Sequence, residues 1–467
     1  MNEKVVMIGA GSVSFTQGLV GDMIARGWEG EIGLVDTDAD ALAVAESLVR
    51  KMLEAKAGGA PMRGARMRLA ASEDRRNLLP DATVVITTIG VGGRRAWEQD
   101  VFIPRKYGIY QPVGDTVMPG GASRALRMIP AMVDIARDVC DLAPNALFFN
   151  YANPMSPVCR AVRKATGAEV VGLCHGVFHV GHFLADALGV AREDVKYAAV
   201  GINHLTWFTE LRVKGEDAMP RLREIAAGKL GRANDPDSLG KRFAEAGALS
   251  RDASGAELDN PFTWELVDLF DAFPAVLDRH VTEFFPHLFA KKGSYYGKTL
   301  GVEAFSFEAT IAAGDSGFAA MREAAFSPEP LGEDFFQKMS GEHEQAVDII
   351  ESIRTDAGRA YSVNLPNRGQ VPNLPADAVI ECPAVAGASG MRPLAQPPID
   401  AALAGTLATR FQWVETVVEA ALEGSRRKFI QALLLDGAVE SIEMAARLAD
   451  DLLGAQAERL PRFWRGA

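Results

Sequence analysis

Three observations predict an α/β fold in which a Rossmann-like, doubly wound parallel sheet forms the N-terminal part and an α+β domain docks onto it. Short apolar runs alternate with helical periodicity from residue 4 to about 195, as strands and crossover helices do. Glycine-rich or polar turns follow the runs, as at the carboxyl ends of parallel strands. Beyond about residue 195 the alternation stops, and 467 residues are too many for one compact core. The chain therefore divides, as an expectation, into residues 1–195 and residues 196–467.

Residues 4–8 are apolar and β-branched, which suits a strand buried on both faces. Residues 15–26 have helical spacing, 31–35 form a second strand ending at Asp36, and 39–54 a second helix. Residues 83–89 are a third strand, followed by the glycine loop 90–93. Helical periodicity over 125–142 leads to strands at 146–150 and 170–173. Residues 197–213 look like strand material, 217–270 are mixed and charged, 362–384 read as strand and turn, and 398–457 are mostly helical.

The formal net charge of -12 argues against a nucleic-acid or anionic-membrane partner, since both need a basic patch. Four cysteines, Cys140, Cys159, Cys174 and Cys382, show no paired spacing, so a reducing cytoplasm is the expected setting. No apolar run reaches membrane-spanning length, and the N-terminus enters a strand without a signal-peptide pattern.

The segment Gly9-Ala10-Gly11-Ser12-Val13-Ser14 stands between a strand and a helix. Gly9 permits the tight turn, Gly11 the close approach of a pyrophosphate, and the helix N-terminus supplies free N–H groups. Ser14 replaces the third glycine of the usual fingerprint and is small enough for the same packing. Asp36 would accept from ribose hydroxyls and repel a 2′-phosphate, which favours NAD over NADP.

Cys174 and His175 end one predicted strand and Asn153 follows the preceding one, so the three converge on one crevice. His204 lies between apolar neighbours. A thiolate and an imidazole make a partial metal shell with open positions for substrate oxygens. A buried apolar cysteine and a core histidine are the plainer alternatives. Asp278, His280 and Glu283 crowd titratable groups between apolar runs, which can tune a base. A helix start capped by Asp278 explains the same pattern.

Taken together, GAGSVSF, QPVGDTVMPGG (111–121), YANPMSP (151–157), CHGV (174–177), GINHLTWF (201–208), FPAVLDRHVTEFFP (273–286), VNLPNRGQV (363–371) and ECPA (381–384) resemble glycoside hydrolase family 4. The resemblance spans nearly the whole chain. It implies a lactate/malate dehydrogenase-like architecture, NAD, and Mn2+ or another divalent cation. It implies Cys174 and His204 as metal ligands, Asn153 as a substrate contact, His175 as a general acid, Asp278 as the C2 base and Asp115 as a further carboxylate of the pocket. The implied mechanism oxidises C3 of the sugar transiently, removes the C2 proton with help from the metal, eliminates the C1 substituent, adds water and returns the hydride. The two-carboxylate scheme of most glycosidases does not apply to this family. Family members commonly form dimers or tetramers.

His175-Gly176-Val177 after the cysteine resembles members acting on unphosphorylated α-glycosides, and α-galacturonides are the expected substrate. α-Glucuronides, α-glucosides and α-galactosides are the alternatives. A uronate carboxylate needs a cationic partner; Arg94 and Arg95 are the candidates, with Arg124 and Arg279 as others. A different class, an NAD-dependent 2-hydroxy-acid dehydrogenase, would share the N-terminal fold but use a His–Asp pair with an arginine.

Overall fold

Strand β1 (Asn2–Ile8) buries Val5, Val6, Met7 and Ile8 on both of its faces, which fits a position inside a sheet. The computed structural model describes residues 1–57, 60–61, 67–230, 260–289, 292–332, 334–336 and 345–464. Numbered in chain order, the other parallel strands of the main sheet are β2 (Glu29–Val35), β3 (Met67–Ser72), β4 (Val84–Thr87), β5 (Leu147–Asn150) and β6 (Val170–Gly172). Their order across the sheet is β3-β2-β1-β4-β5-β6. The chain reverses direction across the sheet between β1 and β4, and a crevice opens there at the strands' carboxyl ends.

Helices α1 (Thr16–Ala25), α2 (Ala39–Glu54), α3 (Gly93–Arg105), α4 (Met118–Leu142), α5 (Met155–Thr166) and α6 (Gly176–Leu188) alternate with these strands. The expected helix 39–54 is α2 residue for residue, because Asp38 caps it by accepting from Asp40 N and Ala41 N. The helix expected from 125 begins earlier, at Met118, since Pro119 is tolerated in a first turn.

The later strands extend the same sheet. They are β7 (Val195–Ile202), β8 (Leu205–Val213), β9 (Glu216–Asp217), β10 (Phe273–Pro274), β11 (Arg359–Pro366), β12 (Val379–Gly387) and β13 (Gly390–Pro393). β11 pairs antiparallel with β6, β12 with β11, and β7 with β12. Among the described residues thirteen strands share this one sheet. The division read at 195/196 coincides with the start of β7, and the sheet continues across it. The strand expected over 197–213 is the β7–β8 hairpin, with Asn203 and His204 as its turn.

Of the mixed stretch 217–270, α7 (Met219–Leu230) and α8 (Pro261–Phe270) are seen, and 231–259 lies outside the described residues. Then follow α9 (Phe307–Phe326), α10 (Gln345–Arg354), α11 (Ala401–Glu423), α12 (Arg426–Asp436) and α13 (Ile442–Ala455). One core packs α4, α5 and α11 to α13 on one face of the sheet; a second packs α1, α2 and α10 on the other. Among the described residues no helix is long and apolar enough to cross a membrane.

Candidate active site

The glycine loop follows directly from β1. Gly9 N and Ala10 N both donate to Val35 O at the end of β2, so the chain turns at once. Gly9 has φ +99, and a Cβ there would stand 2.8 Å from Ile89 N. At Gly11 a Cβ would stand 2.7 Å from Ala41 Cβ and 2.9 Å from Asp36 Oδ2. Asp36 Oδ2 accepts from Gly11 N at 2.8 Å, and Oδ1 from Asp38 N at 3.0 Å. Asp36 thus shapes the loop, with lone pairs left for ribose hydroxyls. Ser12, Val13 and Ser14 lead into α1, which has no side-chain cap; Thr16 N donates to Ser12 O, and no capping side chain competes with an anion for the rest of the first turn. A side-chain-free cradle, an uncapped helix start and an acid at the end of β2 together fit a dinucleotide.

Asp115 sits in the loop between α3 and α4, and its neighbours are clamped. Glu283 Oε1 accepts from Val113 N and Gly114 N, each at 2.8 Å. Met118 N donates to Asp436 Oδ2 at 2.8 Å, and Asp436 pairs with Arg410. Between the helices Arg127 and Asp100 form a fully buried ion pair, joined by Ser123. This clamp presents the Asp115 carboxylate. Its Oδ1 accepts from Thr116 Oγ1 at 2.6 Å and its Oδ2 from Asn153 Nδ2 at 3.0 Å. Asn153 follows β5, and its carbonyl accepts from Arg124 Nε at 3.0 Å.

His204 enters from the β7–β8 turn with φ +66, a conformation uncommon outside glycine. Its Nδ1 lies 2.8 Å from Thr116 Oγ1. Thr116 has one hydroxyl proton, and the ionised Asp115 takes it. Nδ1–H therefore donates to Thr116, and Nε2 keeps a free lone pair. His280, on the single helical turn Asp278–Val281, packs against His204 with ring centroids 4.4 Å apart. His280 Nδ1 is buried without a partner among the described residues. Ligand atoms of Asp115, His204 and His280 all lie within 4.8 Å of one another. One carboxylate oxygen and two imidazole nitrogens suit a divalent cation, and the orphaned nitrogen is accounted for by one.

Electrostatics agree with that donor set. Burial pushes the His204 imidazolium down to about 4, with His175 adding to the effect and Asp115 opposing it. Burial likewise holds His280 well below the usual range. For Asp115 burial works against the charge, yet His204, His280, Arg124 and the Thr116 hydroxyl outweigh it and hold the carboxyl low. Neutral imidazoles and an ionised carboxylate are the forms that bind metal.

Burial also raises Glu283, up to about 8, against its two backbone N–H bonds. The unfolded carboxyl ionises first, near its ordinary 4.5. Stability is expected to fall as pH rises from about 4.5 to about 8 and to level off above, because the unfolded chain binds fewer protons over that window. Glu283→Gln should flatten this part of the profile; denaturation midpoints across pH measure it.

Other expected site residues lie outside this three-residue group. Cys174, partly exposed after β6, is not part of the Asp115 group, and its Sγ accepts from Gly176 N at 3.3 Å. His175 stands just before α6 without a side-chain capping bond, packs against His179 with centroids 4.6 Å apart, and acts electrostatically on His204 and His280. Arg94 and Arg95, the expected substrate contacts, both pair with Asp315 on α9. Arg124 is the arginine brought to Asp115.

The expected base, Asp278, is buried and hydrogen-bonded. It has no exposed surface, and its oxygens accept from Phe262 N, Thr263 N, Thr263 Oγ1 and Tyr295 Oη. Those amides open α8, so Asp278 holds the start of another helix, whereas the plainer alternative had it capping a helix start of its own. Asp278→Ala is expected to destabilise the fold by about 1–3 kcal/mol, from buried donors left unpaired. A denaturation midpoint beside kcat checks this; lost turnover in a fully stable protein contradicts it. His280 is the site residue that sequence reasoning placed in the right segment but not in a metal shell.

Comparisons with known proteins extend these observations. Residues 4–190 match the model of family 4 glycosyl hydrolases, and residues 199–439 that of their C-terminal domain. An α-glucosidase of Erwinia rhapontici is 31% identical over 98% of both chains. An α-galactosidase of Rhizobium meliloti is 29% identical over 98% of this chain and 89% of the relative. An α-galacturonidase of Bacillus subtilis is 30% identical over 96% of each. Among solved structures, a Bacillus subtilis protein described as the glucosidase lplD superposes with a TM-score of 0.80 at 28% identity, covering 97% of this chain and 100% of that one. A 6-phospho-α-glucosidase from gut microorganisms, in complex with NAD and Mn2+, superposes with a TM-score of 0.81 at 21% identity, covering 99% of each.

Proposed function

The chain belongs to glycosyl hydrolase family 4, and we propose that it hydrolyses α-glycosidic bonds, α-galacturonides first among them, with NAD at the glycine loop and Mn2+ at the Asp115 group. The observation that carries this reading is the Asp115–His204–His280 group, set beside Asn153 at the carboxyl end of β5. The gut 6-phospho-α-glucosidase, which holds NAD and Mn2+ on a similar fold, supports the cofactor pair.

When bound, the dinucleotide supplies reversible hydride transfer at the sugar C3, and the cation supplies a Lewis acid beside C2. The chain's own part is to orient and to move protons. Asn153 Nδ2 is placed to donate to a sugar oxygen in place of Asp115. The Thr116–Asp115 link keeps His204 in the tautomer with a free Nε2. Cys174 is proposed as a further ligand, its Sγ exchanging the Gly176 N–H for the cation. His175, at the start of α6, is proposed as the acid that protonates the leaving oxygen.

Relatives acting on glucosides, galactosides and galacturonides have nearly equal identity, so the uronide choice rests on the Cys174-His175-Gly176-Val177 resemblance. Arg124, bonded to the Asn153 carbonyl, is proposed as the cation for a uronate carboxylate, ahead of Arg94 and Arg95, which pair with Asp315. A homodimer or homotetramer belongs to the same proposal; Leu434, Leu435 and Ile442 leave apolar surface exposed on α12 and α13. The division at 195/196 is proposed as functional, with the dinucleotide held before it and His204 supplied from beyond it.

A panel of p-nitrophenyl α-glycosides and α-uronides, assayed with and without NAD, Mn2+ and reductant, tests the proposal. The α-galacturonide should turn over fastest and only with both cofactors. Turnover that persists without either cofactor overturns the reading, and a neutral sugar as best substrate overturns the uronide choice alone.

A further inference from the structure

We propose that Glu381 is a positioning residue: as a carboxylic acid donating to Thr206, it fastens the base of the Asn203–His204 turn and so aims the His204 imidazole. This rests on the reading of His204 as a cation ligand.

The sheet register supplies the first argument. Asn364 on β11 pairs with Glu381 on β12, Glu381 with Gly201 on β7, and Gly201 with Thr206 on β8. The four side-chain positions form one row across four strands, on one face. A Cβ at Gly201 would stand 2.2 Å from Leu205 O, so this position holds no side chain. Glu381 and Thr206 meet across the gap, Oγ1 to Oε2 at 2.6 Å.

Proton counting supplies the second. Thr206 Oγ1 also lies 3.2 Å from Ile202 O, the last residue before the turn. A hydroxyl has one proton, and an ionised Glu381 would be a second acceptor competing for it. A neutral acid resolves the conflict. Glu381 donates to Thr206, and Thr206 donates to Ile202 O. The chain then ties both strands where the turn begins, one residue before Asn203. Glu381 is 1% exposed, Thr206 0%, Asn203 1% and Asn364 0%, so water does not compete. The Asn203 and Asn364 amides, like the Thr206 hydroxyl, favour the ionised form, and burial outweighs all three. Glu381 Oε1, both Asn203 side-chain atoms and Asn364 Oδ1 have no partner at good hydrogen-bond geometry among the described residues, so a charge on Glu381 is incompletely compensated.

Two titratable groups bear on Glu381. His175, from the start of α6, favours its ionised form. Cys382, beside it on β12, keeps its proton because burial pushes the thiol up to about 12. Burial dominates at Glu381 and pushes it up to about 7, which puts ionisation within working pH.

Mn2+ titration of the full chain, wild type against three variants, tests the proposal. Glu381→Leu breaks the chain of protons and should weaken Mn2+ binding about 10- to 100-fold, as lost support behind a metal ligand does. Thr206→Val should weaken it alike. Glu381→Gln, whose amide N–H donates as the acid does, should stay within about 3-fold. In wild type, kcat should fall with a midpoint near the Glu381 ionisation, and Glu381→Gln should lack that alkaline limb. Equal losses in the Gln and Leu variants overturn the proposal, as does an unchanged limb in the Gln variant. Thr206→Val keeps the side-chain volume and decides the question if Glu381→Leu does not fold: wild-type Mn2+ affinity there contradicts the role. Wild-type protein that binds no Mn2+ overturns the cation site itself, and the role of Glu381 with it.

Discussion

His204→Ala is expected to lower kcat/KM by about 1,000-fold or more, because a Lewis acid at the reacting carbons contributes several kcal/mol and about 1.4 kcal/mol is tenfold in rate. His204 is 7% exposed, held by Thr116 and packed on His280, so its loss should remove a proposed ligand without opening the fold to solvent. The Nδ1–H bond to Thr116 leaves Nε2 for the cation, and alanine offers no substitute. NAD affinity should change little, since the glycine loop lies on β1 and β2 rather than on the β7–β8 turn. Mn2+ titration and NAD titration of the same preparation separate the two effects. Retained Mn2+ affinity in this variant would remove His204 from the metal shell. Asp115→Asn should show the same pattern more weakly, because the amide keeps an oxygen ligand and loses the charge.

Gly11→Val is expected to weaken NAD binding by about 10- to 100-fold, the equivalent of about 1–3 kcal/mol of overpacking. Its Cβ would meet Ala41 Cβ and Asp36 Oδ2, so the new side chain pushes the acid away from the loop it shapes. Gly18 supplies the control. It lies on α1, and a Cβ there meets nothing within 4 Å. Gly18→Ala should leave NAD affinity unchanged and stabilise α1 by up to about 1 kcal/mol. Equal NAD affinity in Gly11→Val and wild type would show that the dinucleotide does not approach this backbone.

Five of the six parallel strands were legible because they carry apolar runs followed by glycine or a polar residue; β3, half-buried with Arg68 exposed, was not. α2 and the loop at Gly9 and Gly11 fall where periodicity puts them. The continuation of the sheet was not legible. β11 reaches β6 through one pair, Asn364 with Gly172, and no local pattern announces a partner so distant in sequence. The hairpin at Asn203-His204 was hidden for a related reason: its turn takes a histidine at positive φ where glycine is the usual marker.

The site divides in the same way. Asp115, Asn153, His204 and His280 all lie in segments singled out by their residue types. Which of them meet depends on clamps invisible in the sequence, such as Glu283 reaching the amides of Val113 and Gly114. At Asp278 the residue types left two roles open. A buried aspartate beside a histidine resembles a base, but two amides of α8 and the hydroxyls of Thr263 and Tyr295 use its oxygens.

The central claim is that a dinucleotide site serves hydrolysis here, with the hydride returned within each turnover and the C2 proton removed on the way. Hydrolysis of an α-galacturonide in deuterated water, by protein supplied with NAD and Mn2+, tests it most directly. The sugar released should carry deuterium at C2, and no reduced dinucleotide should accumulate. A product with only protium at C2 would contradict the account.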